Sequence, residues 1–179
     1  MKVVGIAGFS GSGKTTLVER MIPQFTLAGL RVSVIKHAHH RFDIDHPGKD
    51  TWRHREAGAR EVVVASSRRL AVMRELDEAE TLGAHQLIAE LRSPADWVLV
   101  EGFKQSDLPK LEVWRQDHGK PARYAQDAHI MAIATDSPLA LPSPTALPVL
   151  DLNDPQAVVQ WLTAHAAAFE YTAQSPHET

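Results

Sequence analysis

From the amino terminus, an apolar run at Val3 to Ala7 stops at Gly8. After a glycine-rich turn, Leu17, Val18, Met21, Ile22 and Phe25 recur at the spacing of one helical face. The pattern predicts strand, loop, helix, with Pro23 removing one backbone hydrogen bond so that the helix kinks or ends early. Arg31 to Lys36 reads as a second strand after the Gly29 stop signal. His37 to Gly58 is polar and broken by Pro47-Gly48, which predicts a long functional loop with a short helix from Asp50 to Ala57. Glu61 to Ala65 and Arg69 to Arg74 predict a tight hairpin, and Glu78 to Leu91 a helix. Trp97 to Val100 is apolar at every position, as in a strand covered on both faces. Lys110 to Trp114, Ile130 to Thr135 and Leu147 to Leu150 are further strands. Asp154-Pro155 supplies an N-cap and first-turn proline for a last helix that carries Val158, Trp161, Leu162 and Phe169 inward.

Strands alternating with helices predict an α/β fold: a three-layer, mostly parallel sheet with helices on both faces and an inserted β-hairpin. In such sheets ligands bind beyond the carboxyl ends of the strands. The chain has 179 residues, a length that predicts one domain over residues 1–169 and a mobile tail over 170–179. With 44% hydrophobic and 23% charged residues, disorder and coiled-coil classes drop out. A formal charge of −3 supplies no global pull toward nucleic acid or an anionic membrane, so any anionic ligand needs a local site. The sequence has no cysteine, which removes disulfides, iron–sulfur ligation and a thiolate nucleophile, and fits the cytoplasm. The opening apolar run is interrupted by Ser10 to Thr16 before any cleavage site, and no stretch is long enough to span a bilayer. Together these predict a soluble protein.

The local site is Gly8-Phe9-Ser10-Gly11-Ser12-Gly13-Lys14-Thr15, a complete G-x-x-x-x-G-K-[ST] motif between a strand and a helix. This is the phosphate loop of P-loop NTPase folds. Gly8, Ser10, Gly11, Ser12 and Gly13 let main-chain N–H groups curl around a phosphate, and the helix start adds its open donors. Lys14 is the expected charge between β- and γ-phosphates, and the Thr15 hydroxyl the expected Mg²⁺ ligand. Such a loop chooses neither base nor reaction. Glu101 ends the buried strand where an acidic group holds Mg²⁺ through water or orients a nucleophile; a strand-ending Glu paired with Lys104 is the plain alternative. Asp43, Asp45 and Asp50 lie in the long loop; a solvated loop aspartate explains each as well as a ligand does, and Asp50, expected to start a helix, is the preferred second metal-side carboxylate. Five of ten histidines (37, 39, 40, 46, 54) crowd the same loop, open to phosphate contact, metal binding or plain exposure. Thr135-Asp136 follows a late strand, where a carboxylate would accept from guanine N1 and N2, although turn formation with Ser137-Pro138 explains it equally well.

The chain resembles the molybdopterin-guanine dinucleotide biosynthesis adapter family, MobB. The resemblance rests on Gly8 to Leu17, on Ile35-Lys36-His37-Ala38-His39-His40 leading to Phe42-Asp43-Ile44-Asp45, and on Pro47-Gly48-Lys49-Asp50-Thr51. Val98-Leu99-Val100-Glu101-Gly102-Phe103-Lys104 and Lys110-Leu111-Glu112-Val113 complete it. The likeness implies a homodimer that binds GTP with Mg²⁺, hydrolyses it weakly and assists a MobA-type molybdopterin guanylyltransferase. By position it implies phosphate and Mg²⁺ contacts at Gly11, Gly13, Lys14, Thr15 and Thr16, with Glu101 near the γ-phosphate. Lys14 and Glu101 are therefore the candidate catalytic pair. No residue in the sequence stands out as an efficient water-positioning group or arginine finger, which fits slow turnover. A small-molecule kinase, with the His37 to Asp50 loop holding an acceptor, and a metal-delivery GTPase are the alternative functions.

Overall fold

The computed structural model describes residues 1–38, 42–76 and 82–173. Among them the elements follow in the order β1 (Lys2–Ala7), α1 (Lys14–Leu27), β2 (Val32–Lys36), α2 (Asp50–Glu56), β3 (Glu61–Ala65) and β4 (Leu70–Arg74). Then come α3 (Ala84–Ala89), β5 (Trp97–Glu101), β6 (Lys110–Trp114), β7 (Ile130–Thr135), β8 (Val149–Asp151) and α4 (Pro155–Ala164). The chain groups into two compact units, Met1–His37 with Gly83–Thr179, and Ala38–Leu82.

In the first unit six strands form one sheet in the order β2, β5, β1, β6, β7, β8, with every ladder parallel. This is the mostly parallel α/β sheet that the alternation of elements predicts. Chain direction reverses between β1, which leads by way of α1 toward β2, and β6, which leads toward β7. That gap is the topological switch point, where loops part and leave a crevice at the carboxyl ends. The glycine-rich loop leaves β1 there.

Period-two alternation divides the core. Val4, Ile6, Leu99, Leu111, Val113, Ala132 and Ala134 face α1 and α4, and pack with Leu17, Met21, Phe25, Val158 and Leu162. Val3, Val98 and Val100 face the other way, onto Ala84 and Ile88 of α3 and Leu108. Further along that second face Trp114, Tyr124, Ile130 and Ile133 form a smaller cluster. Helices thus lie on both faces, and β5 is buried at every position, as its apolar run predicts.

Of the two outcomes expected at Pro23, a kink or an early end, the early end does not occur: helix α1 runs past it to Leu27. Pro23 and Glu19, whose carbonyl loses its partner, are both exposed residues, where solvent lowers the cost of the missing bond. The helix stops at Gly29, whose φ of +74° lets the Leu30 N–H donate back to the Phe25 carbonyl at 3.0 Å. The predicted cap of α4 is present: Asp154 Oδ1 accepts from the Ala157 N–H at 2.9 Å. Helix α4 ends at Ala164, and a 3₁₀ turn, Ala166–Phe169, brings Phe169 into the core. Helix α3 is shorter than the sequence pattern suggests; of the expected span, residues 78–81 lie outside the described residues. Glu170 and Tyr171, assigned by the sequence pattern to the tail, are held. Glu170 bridges to Lys2, and the Tyr171 hydroxyl meets His85 Nδ1 at 2.8 Å. Residues 174–179 lie outside the described residues.

Strand β6 carries two buried charges on the second face. Lys110 Nζ pairs with Asp127 at 2.9 Å and donates to the Ser106 carbonyl at 2.5 Å. A Cβ on Gly5 would stand 2.7 Å from Lys110 Cγ, so the glycine makes room for the lysine stem. Glu112 accepts from the backbone N–H groups of Arg123 and Tyr124, both at 2.8 Å. Burial pushes the Glu112 carboxyl above the usual range, and those two donors oppose the shift.

In the second unit, β3 and β4 form a separate antiparallel sheet, Glu61 opposite Arg74 and Val63 opposite Val72. The hairpin is there as expected and does not extend the large sheet. Arg55 on α2 holds Asp43 at 2.9 Å, Asp45 at 3.4 Å and Glu75 at 3.0 Å. Among the described residues no helix is long and apolar enough to cross a membrane.

Candidate functional site

The loop Gly8 to Gly13 emerges from β1 at the switch point, beside the ends of β5, β2 and β6. Gly8 has a φ of +138°, and a Cβ there would meet the Val113 carbonyl at 2.5 Å and Ser12 Oγ at 2.8 Å. Only glycine lets the loop approach β6 so closely. Gly13, at φ +98°, turns the chain into α1, whose first residue is Lys14. Inside the curl the Ser12 N–H donates to the Phe9 carbonyl at 3.2 Å, and Lys14 Nζ donates to the same oxygen at 2.7 Å. Ser12 is 3% exposed, and its hydroxyl has no hydrogen-bond partner among the described residues. An unsatisfied buried hydroxyl is costly, and one beside a loop of open N–H groups is a group waiting for an acceptor.

Lys14 is followed by Thr15, whose Oγ1 donates to Glu101 Oε1 at 2.6 Å. Thr16 is exposed on the next position of α1. Glu101 ends β5 with its side chain 9% exposed. In the sheet register it lies beside Lys36, the last residue of β2. Lys36 Nζ stands 3.5 Å from Glu101 Oε1 and donates to Thr15 Oγ1 at 3.3 Å. Gly102 and Phe103 then adopt left-handed conformations, with φ of +102° and +45°. That turn brings Lys104 Nζ to 5.4 Å from the Phe9 ring centre, a cation–π contact. Burial lowers the Lys14 pKa; Glu101 opposes the shift, and the Lys36 and Lys104 ammonium groups add to it. Ammonium groups crowded this way repel one another until an anion arrives.

The site draws two more groups from the turn after β6. Arg115 Nε donates to the Ser12 carbonyl at 3.1 Å, and its Nη1 to Asp136 Oδ2 at 2.5 Å. His118 Nε2 lies 2.5 Å from the Ser10 carbonyl. Thr135 and Asp136 build the turn that the sequence offered as one of two readings. The Ser137 N–H donates to Thr135 Oγ1 at 3.0 Å, and the Ser137 hydroxyl to Asp136 Oδ1 at 3.0 Å. Asp136 is nonetheless tied to the loop through Arg115.

Asp50 is the first residue of α2, in the second unit. Asp43 and Asp45, the other loop carboxylates, are engaged by Arg55, and Asp45 also accepts from the Thr51 hydroxyl at 2.9 Å. Of the crowded histidines, His37 packs against Phe103 with ring centres 4.7 Å apart. His46 and His54 are exposed, and His39 and His40 lie outside the described residues. Among the described residues no three histidine, aspartate or glutamate side chains gather as metal ligands. Sequence reasoning gave no role to Lys36, Arg115 or His118. The signal was available: each stands at or just past the end of a predicted strand, where this fold gathers its ligand contacts.

A family model described as Molybdopterin guanine dinucleotide synthesis protein B matches residues 3–136. The chain belongs to the MobB family. The matched stretch includes the glycine-rich loop, Glu101, Arg115 and Asp136 and ends before α4. A MobB relative named molybdopterin-guanine dinucleotide biosynthesis adapter protein, from Haemophilus influenzae, is 45% identical over 141 residues, covering 78% of this chain and 77% of the relative. The relative of the same name from Escherichia coli is 39% identical over 166 residues, 89% of this chain and 93% of its own. The crystal structure of a MobB homologue from Bacillus stearothermophilus superposes with a TM-score of 0.66 at 28% identity, covering 93% of this chain and 99% of that one. The MobB likeness thus extends over both the loop and the sheet that presents it.

Proposed function

We propose that this MobB-family chain is a GTP-binding adapter that uses Mg²⁺, hydrolyses the nucleotide slowly and assists a MobA-type guanylyltransferase in attaching GMP to molybdopterin. The observation that carries the nucleotide reading is the 2.6 Å pairing of Thr15 Oγ1 with Glu101 Oε1 directly beside Lys14. A triphosphate fits the residues present. The loop offers open N–H donors, the buried Ser12 hydroxyl lacks a partner, and Lys14 and Lys104 add positive charge. Mg²⁺ fits as well, because a hydroxyl and a carboxylate oxygen already converge and are the hard donors that ion prefers. Bound there, the ion would neutralise phosphate charge. Lys36 now stands on the same two oxygens and would give them up.

Lys14 binds and orients the terminal phosphates, the loop N–H groups hold the β-phosphate, and Glu101 keeps Thr15 in place. Arg115, the arginine beside the loop, is committed to the Ser12 carbonyl and Asp136, which suits slow hydrolysis. The adapter role and the guanine preference rest on the family likeness, and a guanine contact from Asp136 rests on its place just past β7.

The test is a titration of GTP, GDP and ATP with and without Mg²⁺, on the parent chain and on Glu101→Gln. GTP is expected to bind most tightly and Mg²⁺ to tighten it. Glu101→Gln is expected to lose about tenfold of that metal-dependent gain, the worth of one charged hydrogen bond. A preference for ATP would turn the assignment toward a kinase, and indifference to Mg²⁺ would remove the metal role.

For the homodimer that the family likeness implies, we propose the hairpin as the contact. In the second unit Val62 is the one buried apolar side chain among the described residues. Val63 and Val72, a cross-strand pair, are 59% and 50% exposed, and Leu70 is 66% exposed. A two-stranded ribbon with an apolar surface is marginal alone and favours a second copy. Val63→Glu with Val72→Glu is expected to convert dimer to monomer in sedimentation equilibrium. A dimer that survives both charges assembles elsewhere.

A further inference from the structure

A phosphate loop works only if its peptides are turned the right way. In a trans peptide the C=O of one residue and the N–H of the next point in opposite directions. Holding the Ser10 carbonyl therefore aims the Gly11 N–H the other way, and holding the Ser12 carbonyl does the same for Gly13. Both carbonyls are held from one side, by one short segment. His118 Nε2 is 2.5 Å from the Ser10 carbonyl, which can only accept, so that ring nitrogen carries the hydrogen. Arg115 Nε donates to the Ser12 carbonyl at 3.1 Å, and Arg115 is in turn clamped by Asp136 at the end of β7. Neither the Gly11 nor the Gly13 N–H donates a hydrogen bond to another described residue.

We propose that the turn leaving β6 braces the phosphate loop from outside: His118 and Arg115 are positioning residues that aim the Gly11 and Gly13 N–H groups at phosphate oxygens before any nucleotide arrives. The proposal rests on the nucleotide reading above and adds two residues to it. The switch point makes the brace possible, because the loops after β1 and β6 start side by side there. Arg115 also connects Asp136 mechanically to the loop, so the end of β7 and the phosphate site share one guanidinium. Pre-setting donors in this way spares the ordering that binding otherwise requires.

The test uses the full chain and four variants: His118→Phe, which keeps a ring and removes the donor; His118→Gln, whose amide N–H still reaches; Arg115→Met; and Arg115→Lys. Amide signals of Gly11 and Gly13 are followed in ligand-free protein by ¹H–¹⁵N NMR, and GTP affinity is measured with Mg²⁺. His118→Phe is expected to shift and broaden Gly11, Arg115→Met to do so for Gly13, and each to weaken GTP about fivefold to tenfold. His118→Gln is expected to restore both readouts. Arg115→Lys is not, because one ammonium cannot serve Ser12 and Asp136 together. Should His118→Phe fail to fold, His118→Asn, with its amide one carbon shorter, makes the same comparison against His118→Gln. Unmoved glycine amides in folded variants, or His118→Gln as weak as His118→Phe, would overturn the brace. If the amides respond but the parent chain binds no nucleotide, the brace stands and the nucleotide reading falls.

Discussion

Replacing Lys14 with alanine is expected to weaken GTP binding at least about thirtyfold while leaving the fold intact. The magnitude is the loss of a partly buried charge from its anionic partner. The fold survives because Lys14 supports nothing in the core: its one hydrogen bond among the described residues reaches the Phe9 carbonyl, within the loop itself. Burial disfavours the ammonium, and with the repulsion from Lys36 and Lys104 it outweighs the attraction of Glu101, so removing the charge relieves a net cost. The ligand-free protein should therefore melt at or slightly above the parent temperature. Calorimetric titration beside a thermal melt checks both halves. Equal affinities for parent and variant would mean that the nucleotide sits somewhere other than this loop.

Asp127→Ala is expected to destabilise the protein by about 3–5 kcal/mol, because it strands a buried charge. Lys110 is 1% exposed and its ammonium has two acceptors, Asp127 and the Ser106 carbonyl. Burial pushes the Asp127 carboxyl up, but the Lys110 hydrogen bond, the His129 N–H and the nearby cations outweigh it and hold it below the ordinary range. For a chain of this size the loss corresponds to a fall in melting temperature of about 6–20 °C. Adding Lys110→Met to Asp127→Ala is expected to recover most of it, since an apolar side chain needs no partner there. A double variant as unstable as the single one would show that Asp127 acts through something other than the lysine. Arg123, 4.0 Å from Asp127, is the next candidate.

The secondary structure was legible wherever neighbours in the chain decide it. Trp97 to Val100 announces a strand buried on both sides, Asp154-Pro155 a helix start, and Gly29 a helix stop. All three are realised with the hydrogen bonds that their stereochemistry requires. Pro23 does not end its helix, because the cost of a missing hydrogen bond depends on whether water reaches the orphan carbonyl, and exposure is a tertiary property. Phe169 turns inward as the sequence pattern predicts, but from a 3₁₀ turn, since the helix ends at Ala164. Strand β6 hides its polar members for the same kind of reason. Lys110 and Glu112 alternate with Leu111 and Val113 as if they faced water, yet a covering loop supplies Asp127 and two backbone donors.

The glycine spacing, Lys14 and Thr15 were written in eight consecutive residues, because a phosphate curl is made by local backbone geometry that glycine alone permits at Gly8. Sequence was enough for the loop and for the strands that flank it. It was not enough for the company the loop keeps. Thr15 meets Glu101 across 86 positions, Ser12 meets Arg115 across 103, and Ser10 meets His118 across 108. Those meetings follow from the order of strands in the sheet. That order is settled when hydrophobic faces find their neighbours, and no stretch of adjacent residues encodes it.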